Sequence, residues 1–139
     1  MIHVEHTFEM AHRCPGQGYG EDSIHGHTFK VMVTCSPADE ESIEPFLLSD
    51  LVLENVVKVF DHGLMVWQDD DLKDFFEQLQ KNDLNIFKVD FNPTLQNIAT
   101  YLFGELKPLL YDDGFDLQGL TLHEGPIAST TVTSGVFSE

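Results

Sequence analysis

Basic residues are scarce in this chain of 139: seven Lys and Arg stand against 24 Asp and Glu, a formal net charge of −17 at neutral pH. Such a surface repels phosphate backbones and anionic lipid headgroups at long range, so neither nucleic acid nor a membrane is expected as a partner. The seven cations, from Arg13 to Lys107, are spread singly and build no basic patch. Cysteine is nearly absent. Cys14 and Cys35 have no paired-Cys metal spacing, and free thiols are expected rather than a disulfide framework. No stretch approaches the ~20 apolar residues that a membrane-spanning helix needs. The opening Met1-Ile2-His3-Val4-Glu5-His6 lacks a basic segment followed by an apolar run, so no secretory signal is expected and the cytoplasm is the expected location. What the chain does have is core-forming material, 42% hydrophobic residues with 11 Phe, over a length usual for one domain. A single domain over residues 1–139 is expected.

Ile2, Val4, His6, Phe8, Met10 and His12 share one alternating phase, the period-2 pattern of a half-buried strand over 2–12. The glycine-bearing stretch from Cys14 to Ser23 has no apolar period and reads as loop. His25, His27, Phe29, Val31, Val33 and Cys35 then form a second alternation, ended by Ser36-Pro37 and a run of acids. Leu48, Val52, Val56 and Phe60 recur at helical spacing. With Ser49 as cap, Asp50 in the first turn and Gly63 as stop, they predict a helix over 49–61. A second helix opens at Asn92-Pro93-Thr94, with Asn92 capping and Pro93 in the first turn. Leu95, Ile98, Ala99, Leu102, Phe103 and Leu106 lie on its apolar side, and Pro108 closes it. Between the two, residues 69–82 read as a short surface helix and 84–91 as an extended return. The C-terminal part predicts a hairpin, with Leu120, Leu122 and Glu124 in one phase, a Gly125-Pro126 turn and the β-branched run Thr130 to Thr133. The order β-β-α-α-β-β predicts an α+β fold with both helices on one face of the sheet.

His25-Gly26-His27 places two imidazoles at i and i+2, which on an extended strand point to one side with their Cα atoms about 7 Å apart. If the first strand pairs antiparallel with the second, His12 converges on them. Three neutral histidines suit zinc and leave a fourth position for water or substrate, as in catalytic rather than structural sites. The alternative is three histidines at the core edge, satisfied by backbone partners. Asp61-His62 offers a similar choice, between a carboxylate that orients an imidazole for proton transfer and a helix C-terminus where a histidine meets the macrodipole.

Phe8 with Ala11-His12, then His25-Gly26-His27, Asp50, Asp61-His62, Asn92-Pro93-Thr94 with Asn97 and Ala99, and Glu124 occur in this order. Together they resemble the 6-pyruvoyltetrahydropterin synthase and 6-carboxytetrahydropterin synthase family, over nearly the whole chain. The resemblance implies the tunnelling fold (T-fold), in which β-β-α-α-β-β subunits with antiparallel sheets close a trimeric barrel and two trimers stack into a homohexamer. It implies zinc held by His12, His25 and His27, and a small-molecule pterin substrate, 7,8-dihydroneopterin triphosphate or a close relative. The implied activity is that of a lyase in which zinc acidifies side-chain protons as a Lewis acid. Asp61 and His62 would relay protons, and Glu124 would grip the pterin ring by accepting two parallel N–H bonds from its 2-amino group and N3.

The departures from the family pattern bear on the chemistry. The commonest members carry a catalytic cysteine four residues before the first histidine of His-Gly-His; here Glu21 stands there, and a carboxylate can still act as base. Paralogues with glutamate in that role form 6-hydroxymethyl-7,8-dihydropterin, a folate precursor, and often place the acid three residues before the histidine, where this chain has Asp22. Cys14, in phase with His12, is a third candidate, although a small buried residue is its plainer role. Gln96 replaces a glutamate, Met65-Val66 a Leu-Asn pair, and Gly125 a threonine. The acidic balance sets a triphosphate substrate against a dephosphorylated pterin, or calls for a cation from a neighbouring subunit. A pterin-binding homologue that has lost turnover with its cysteine is a further reading.

Overall fold

Two long strands at the start of the chain set the frame. In the computed structural model, which describes residues 1–39 and 44–137, β1 (Ile2–His12) and β2 (His25–Pro37) pair antiparallel from Ile2 opposite Cys35 to His12 opposite His25. Because successive side chains alternate, Phe8, Met10 and His12 are buried on one face, while His3, Glu5, Thr7 and Glu9 are exposed on the other. β2 continues the sheet into β5 (Phe115–Glu124), which turns into β6 (Ala128–Thr133) before a short helical turn, Ser134–Phe137. On the other side of β1, β3 (Gly63–Trp67) and β4 (Ile86–Val89) add in parallel. Among the described residues the sheet has six strands, in the order β4-β3-β1-β2-β5-β6.

The helices cover one face. The chain winds through α1 (Pro45–Val52), a π turn (Leu53–Val57) and α2 (Lys58–Phe60), then α3 (Lys73–Lys81), and after β4 enters α4 (Leu95–Asp112). Leu48, Val52 and Val56 from the first helical run and Ile98, Leu102, Leu106 and Leu110 from α4 pack on Phe29, Val31, Val33, Leu120 and Leu122 of the sheet, all buried. Each such side chain contributes about 1.5–3 kcal/mol on burial, and this packing rather than helix propensity holds the layer. Among the described residues no helix is long and apolar enough to cross a membrane.

The expected α+β frame with helices on one face is present, and three local expectations are corrected. The first helical run starts at Pro45, where the Glu44 carboxylate accepts from the Phe46 N–H at 3.0 Å; Ser49, the expected cap, lies inside the helix and receives His6 Nε2 at 3.0 Å. The left-handed residue past its end is His62 (φ 61°) and not Gly63. Gly63 serves a different need, since a Cβ there would lie 3.0 Å from both the Phe60 carbonyl and the Asn85 side chain. Second, α4 is capped by Thr94 rather than Asn92, and it runs through Pro108 to Asp112. The turn beyond Pro108 is held against the core by Leu110, which is fully buried. Third, β3 was not expected at all, and it makes the sheet mixed rather than purely antiparallel.

Candidate active site

The register of β1 on β2 builds the site. His12 stands directly opposite His25, and His27 lies opposite Met10, one diagonal step away on the same face. The His27 ring meets the other two edge to face, with centroids 5.2 Å from His12 and 4.9 Å from His25, while the His12 and His25 rings are tilted to one another with centroids 4.5 Å apart. Phe29 forms the floor, 5.6 Å from both His12 and His27. Backbone carbonyls fix two of the rings: His12 Nδ1 donates to Pro93 O at 2.8 Å, and His25 Nδ1 donates to Ser23 O at 2.7 Å. A carbonyl can only accept, so in the neutral form of both rings Nε2 carries the lone pair. The Nε2 atoms of His12, His25 and His27 are all buried and, among the described residues, make no hydrogen bond. The potential ligand atoms of the three residues lie within 4.8 Å of one another. Buried polar atoms without partners are costly, and three of them facing one point fit a metal ion of the kind imidazole nitrogen ligates. The reading as histidines satisfied by backbone partners accounts for two Nδ1 atoms and leaves these three Nε2 atoms unexplained.

Two carboxylates flank the triad. Glu21 Oε2 is 3.5 Å from His25 Nε2, while Glu124 oxygens lie 3.5 Å from His27 Nε2 and 3.7 Å from His12 Nε2. Glu124 reaches the site because it shares the inward phase of Leu120 and Leu122 on β5, opposite Phe29. Burial raises its pKa above the ordinary carboxylate value, against the pull of His27 and with a further rise from Glu21. Asp22 faces away from this group: its carboxylate accepts from Gly16 N at 2.8 Å and its carbonyl from Arg13 Nε at 2.7 Å, so it braces the loop. Cys14 is fully buried and its thiol donates to Pro93 O at 3.2 Å. Burial, with the Glu21 carboxylate beside it, pushes its pKa up and keeps it protonated.

Asp61 and His62 form a separate pair at the end of α2. Asp61 Oδ1 accepts from the Glu9 N–H at 2.8 Å, which, with the bond to His62, lowers its pKa. Its other oxygen lies 2.9 Å from His62 Nδ1, and the His62 side chain is 82% exposed. Among the described residues no hydrogen bond or ion pair joins this pair to the triad. His62 and His27 do line a common shallow cleft of about 390 Å³. The sequence reading missed Arg13, Asp70 and the Pro93 carbonyl. The Arg13 guanidinium donates to the buried Asp70 carboxylate and so anchors the loop that carries Glu21; the only local signal was an unspecific acidic run at 69–71.

The His12 pKa is lowered from 6.5 to about 4, first by burial and further by its histidine neighbours, against the pull of the Pro93 carbonyl. A folded-state pKa below the unfolded one means that the contribution is complete above pH 6.5 and is lost as the pH falls toward 4. Metal-free protein should lose about 3 kcal/mol through this ring. Urea denaturation of chelator-treated protein from pH 7 to 4 measures it, with His12→Gln as reference. Parallel profiles for the two proteins would contradict the burial of a neutral ring.

A mixed sheet under one helical layer, with three histidine donors converging at the strand ends, defines a small α+β protein with a pocket able to hold a metal. Residues 1–134 match the family model for 6-pyruvoyl tetrahydropterin synthase, and the chain belongs to that family. The 6-carboxy-5,6,7,8-tetrahydropterin synthase of Rickettsia felis is 30% identical over 125 residues, covering 86% of this chain and 89% of that one. The synthase of the same name from Haemophilus influenzae is 28% identical over 133 residues, covering 90% and 92%. Among solved structures, an alanine mutant at a catalytic glutamate of Plasmodium vivax 6-pyruvoyltetrahydropterin synthase superposes with a TM-score of 0.70 at 18% identity, covering 94% of each chain. An uncharacterized protein from Wolinella succinogenes gives 0.76 at 19%, covering 96% and 97%. The fold is the tunnelling fold.

Proposed function

We propose that this chain is a zinc-dependent pterin synthase that acts on 7,8-dihydroneopterin triphosphate or a close relative, by proton abstraction followed by side-chain cleavage or elimination. The observation that carries the reading is the set of three buried, unpartnered Nε2 atoms flanked by Glu21 and Glu124. His12, His25 and His27 would hold the ion, which when bound would act as a Lewis acid on the substrate's side-chain hydroxyls. Glu21 takes the proton, since among the described acids only it and Glu124 lie within 4 Å of the triad nitrogens. Glu124, partly desolvated, accepts the paired N–H groups of the pterin and gains more from them than an exposed acid would. The cleft between these two carboxylates, about 480 Å³, suits a bicyclic ligand with a short side chain. Purified protein grown with adequate zinc should carry about one zinc per subunit and bind a dihydropterin; absence of both overturns the reading.

A second reading, release of 6-hydroxymethyl-7,8-dihydropterin, is favoured by Glu21 in place of a thiol and by the catalytic glutamate of the Plasmodium vivax neighbour.

The working form is an oligomeric barrel, in the family pattern a hexamer of two trimers. Among the described residues β1 meets β3 only at Met10–His12, which leaves residues 2–8 as an open edge, and β6 is open at the other side of the sheet. Pairing of these edges between copies removes both, and the polar face of His3, Glu5, Thr7 and Glu9 suits a barrel lumen. In such an assembly the exposed His62, held by Asp61, would relay protons. Sedimentation at micromolar concentration should show a species several times 15.7 kDa; a monomer at that concentration would contradict the barrel.

A further inference from the structure

The cleft beside the triad is acidic and hydroxyl-rich. Glu21 and Glu124 face it from two sides, with Gln17, Gln96, Ser129 and Thr130 between them, and among the described residues no Lys or Arg lines it. Gln96 is pinned by Thr130 Oγ1, which donates to its Oε1 at 2.6 Å; among the described residues its amide N–H groups make no hydrogen bond, and they can meet a ligand hydroxyl. Five of the chain's seven cations form ion pairs away from this cleft. Arg13 pairs with Asp70, Lys30 with Glu5, Lys58 with Glu54, Lys88 with Glu77 and Lys107 with Asp116. Only Lys73 and Lys81, both on α3, have no ion pair among the described residues. A neighbouring copy carries the same set, so it could offer a phosphate group only these two lysines or a cation drawn from an existing pair.

From this charge layout we infer that the site takes a pterin whose hydroxylated side chain carries no phosphate, in preference to its triphosphate. The inference rests on the pterin reading above and narrows its substrate class. Two carboxylates lining the cleft, on a subunit of net charge −17, repel a polyanion, whereas side-chain hydroxyls find donors and acceptors in Gln17, Gln96, Ser129 and Thr130.

Calorimetric titration of zinc-loaded protein with 7,8-dihydroneopterin and, separately, with 7,8-dihydroneopterin 3′-triphosphate tests it. At low ionic strength the triphosphate should bind at least tenfold more weakly. The gap should narrow as salt is raised toward ~0.1 M and beyond, where the screening length falls to about 10 Å and below. Gln17→Lys, which adds one cation to the cleft, should narrow the ratio several-fold. Equal or tighter binding of the triphosphate overturns the inference and leaves the pterin reading standing. Binding of neither compound overturns both, and a ratio unmoved by salt and by Gln17→Lys overturns the electrostatic account.

Discussion

His25→Ala should empty the metal site and abolish turnover while the sheet stays folded. The three Nε2 atoms form a set in which each ring supplies one donor, and removing one leaves two donors and a wider opening to water. Loss of a ligand should lower affinity by more than the roughly 10- to 100-fold that follows loss of an orienting partner alone. The fold should tolerate the change, because His25 is only half-buried at the first position of β2 and its Nδ1 bond is to nearby Ser23. Metal analysis of the purified variant beside wild type gives the comparison, with His3→Ala as control; His3 sits at the far end of β1 and bonds Thr34. Full zinc in His25→Ala, or equal loss in His3→Ala, would sink the three-histidine assignment.

Glu21→Gln should cut turnover by about 10²- to 10⁴-fold, the range typical of a removed general base, with zinc and pterin binding nearly unchanged. The amide keeps the size of the side chain and lies outside the three-histidine set, so only the proton acceptor is lost. Cys14→Ser should be nearly silent, since the buried thiol is held protonated against the Pro93 carbonyl. The reverse pattern, with activity lost at Cys14 and kept at Glu21, would return the base to sulfur. Asp22→Asn should act through the loop, because the Asp22 carboxylate holds the Gly16 N–H. Rate measurements at saturating substrate, with metal content recorded for each variant, separate these roles. If none of the three changes slows turnover, Asp61 and His62 are left as the only base.

The strands and the triad were legible because alternation is a local property. His12 closes one alternating run, and His25 and His27 open the next, so antiparallel pairing brings them together whatever the intervening loop does. Glu124 was legible in the same way, through its phase with Leu120 and Leu122. What sets the rings and braces the loop was not legible. The Pro93 carbonyl lies 81 positions from His12, and Asp70 lies 57 positions from Arg13; no short pattern encodes either contact. β3 was missed for a different reason. Gly63–Trp67 is a short apolar run with no alternation, as suits a strand paired in parallel on both sides. The true start of the first helical run was hidden because Glu44, a weaker cap than the serine further along, closes it on Pro45.

The most direct test of metal-dependent pterin chemistry at this site is product identification. Zinc-loaded and chelator-stripped protein are incubated in parallel with 7,8-dihydroneopterin and with its 3′-triphosphate, and the pterins formed are separated and identified by mass. The three-histidine site with Glu21 as base predicts a new pterin from at least one substrate, formed by the zinc-loaded protein and lost on stripping. No product from either substrate, or equal product from the stripped protein, would contradict it.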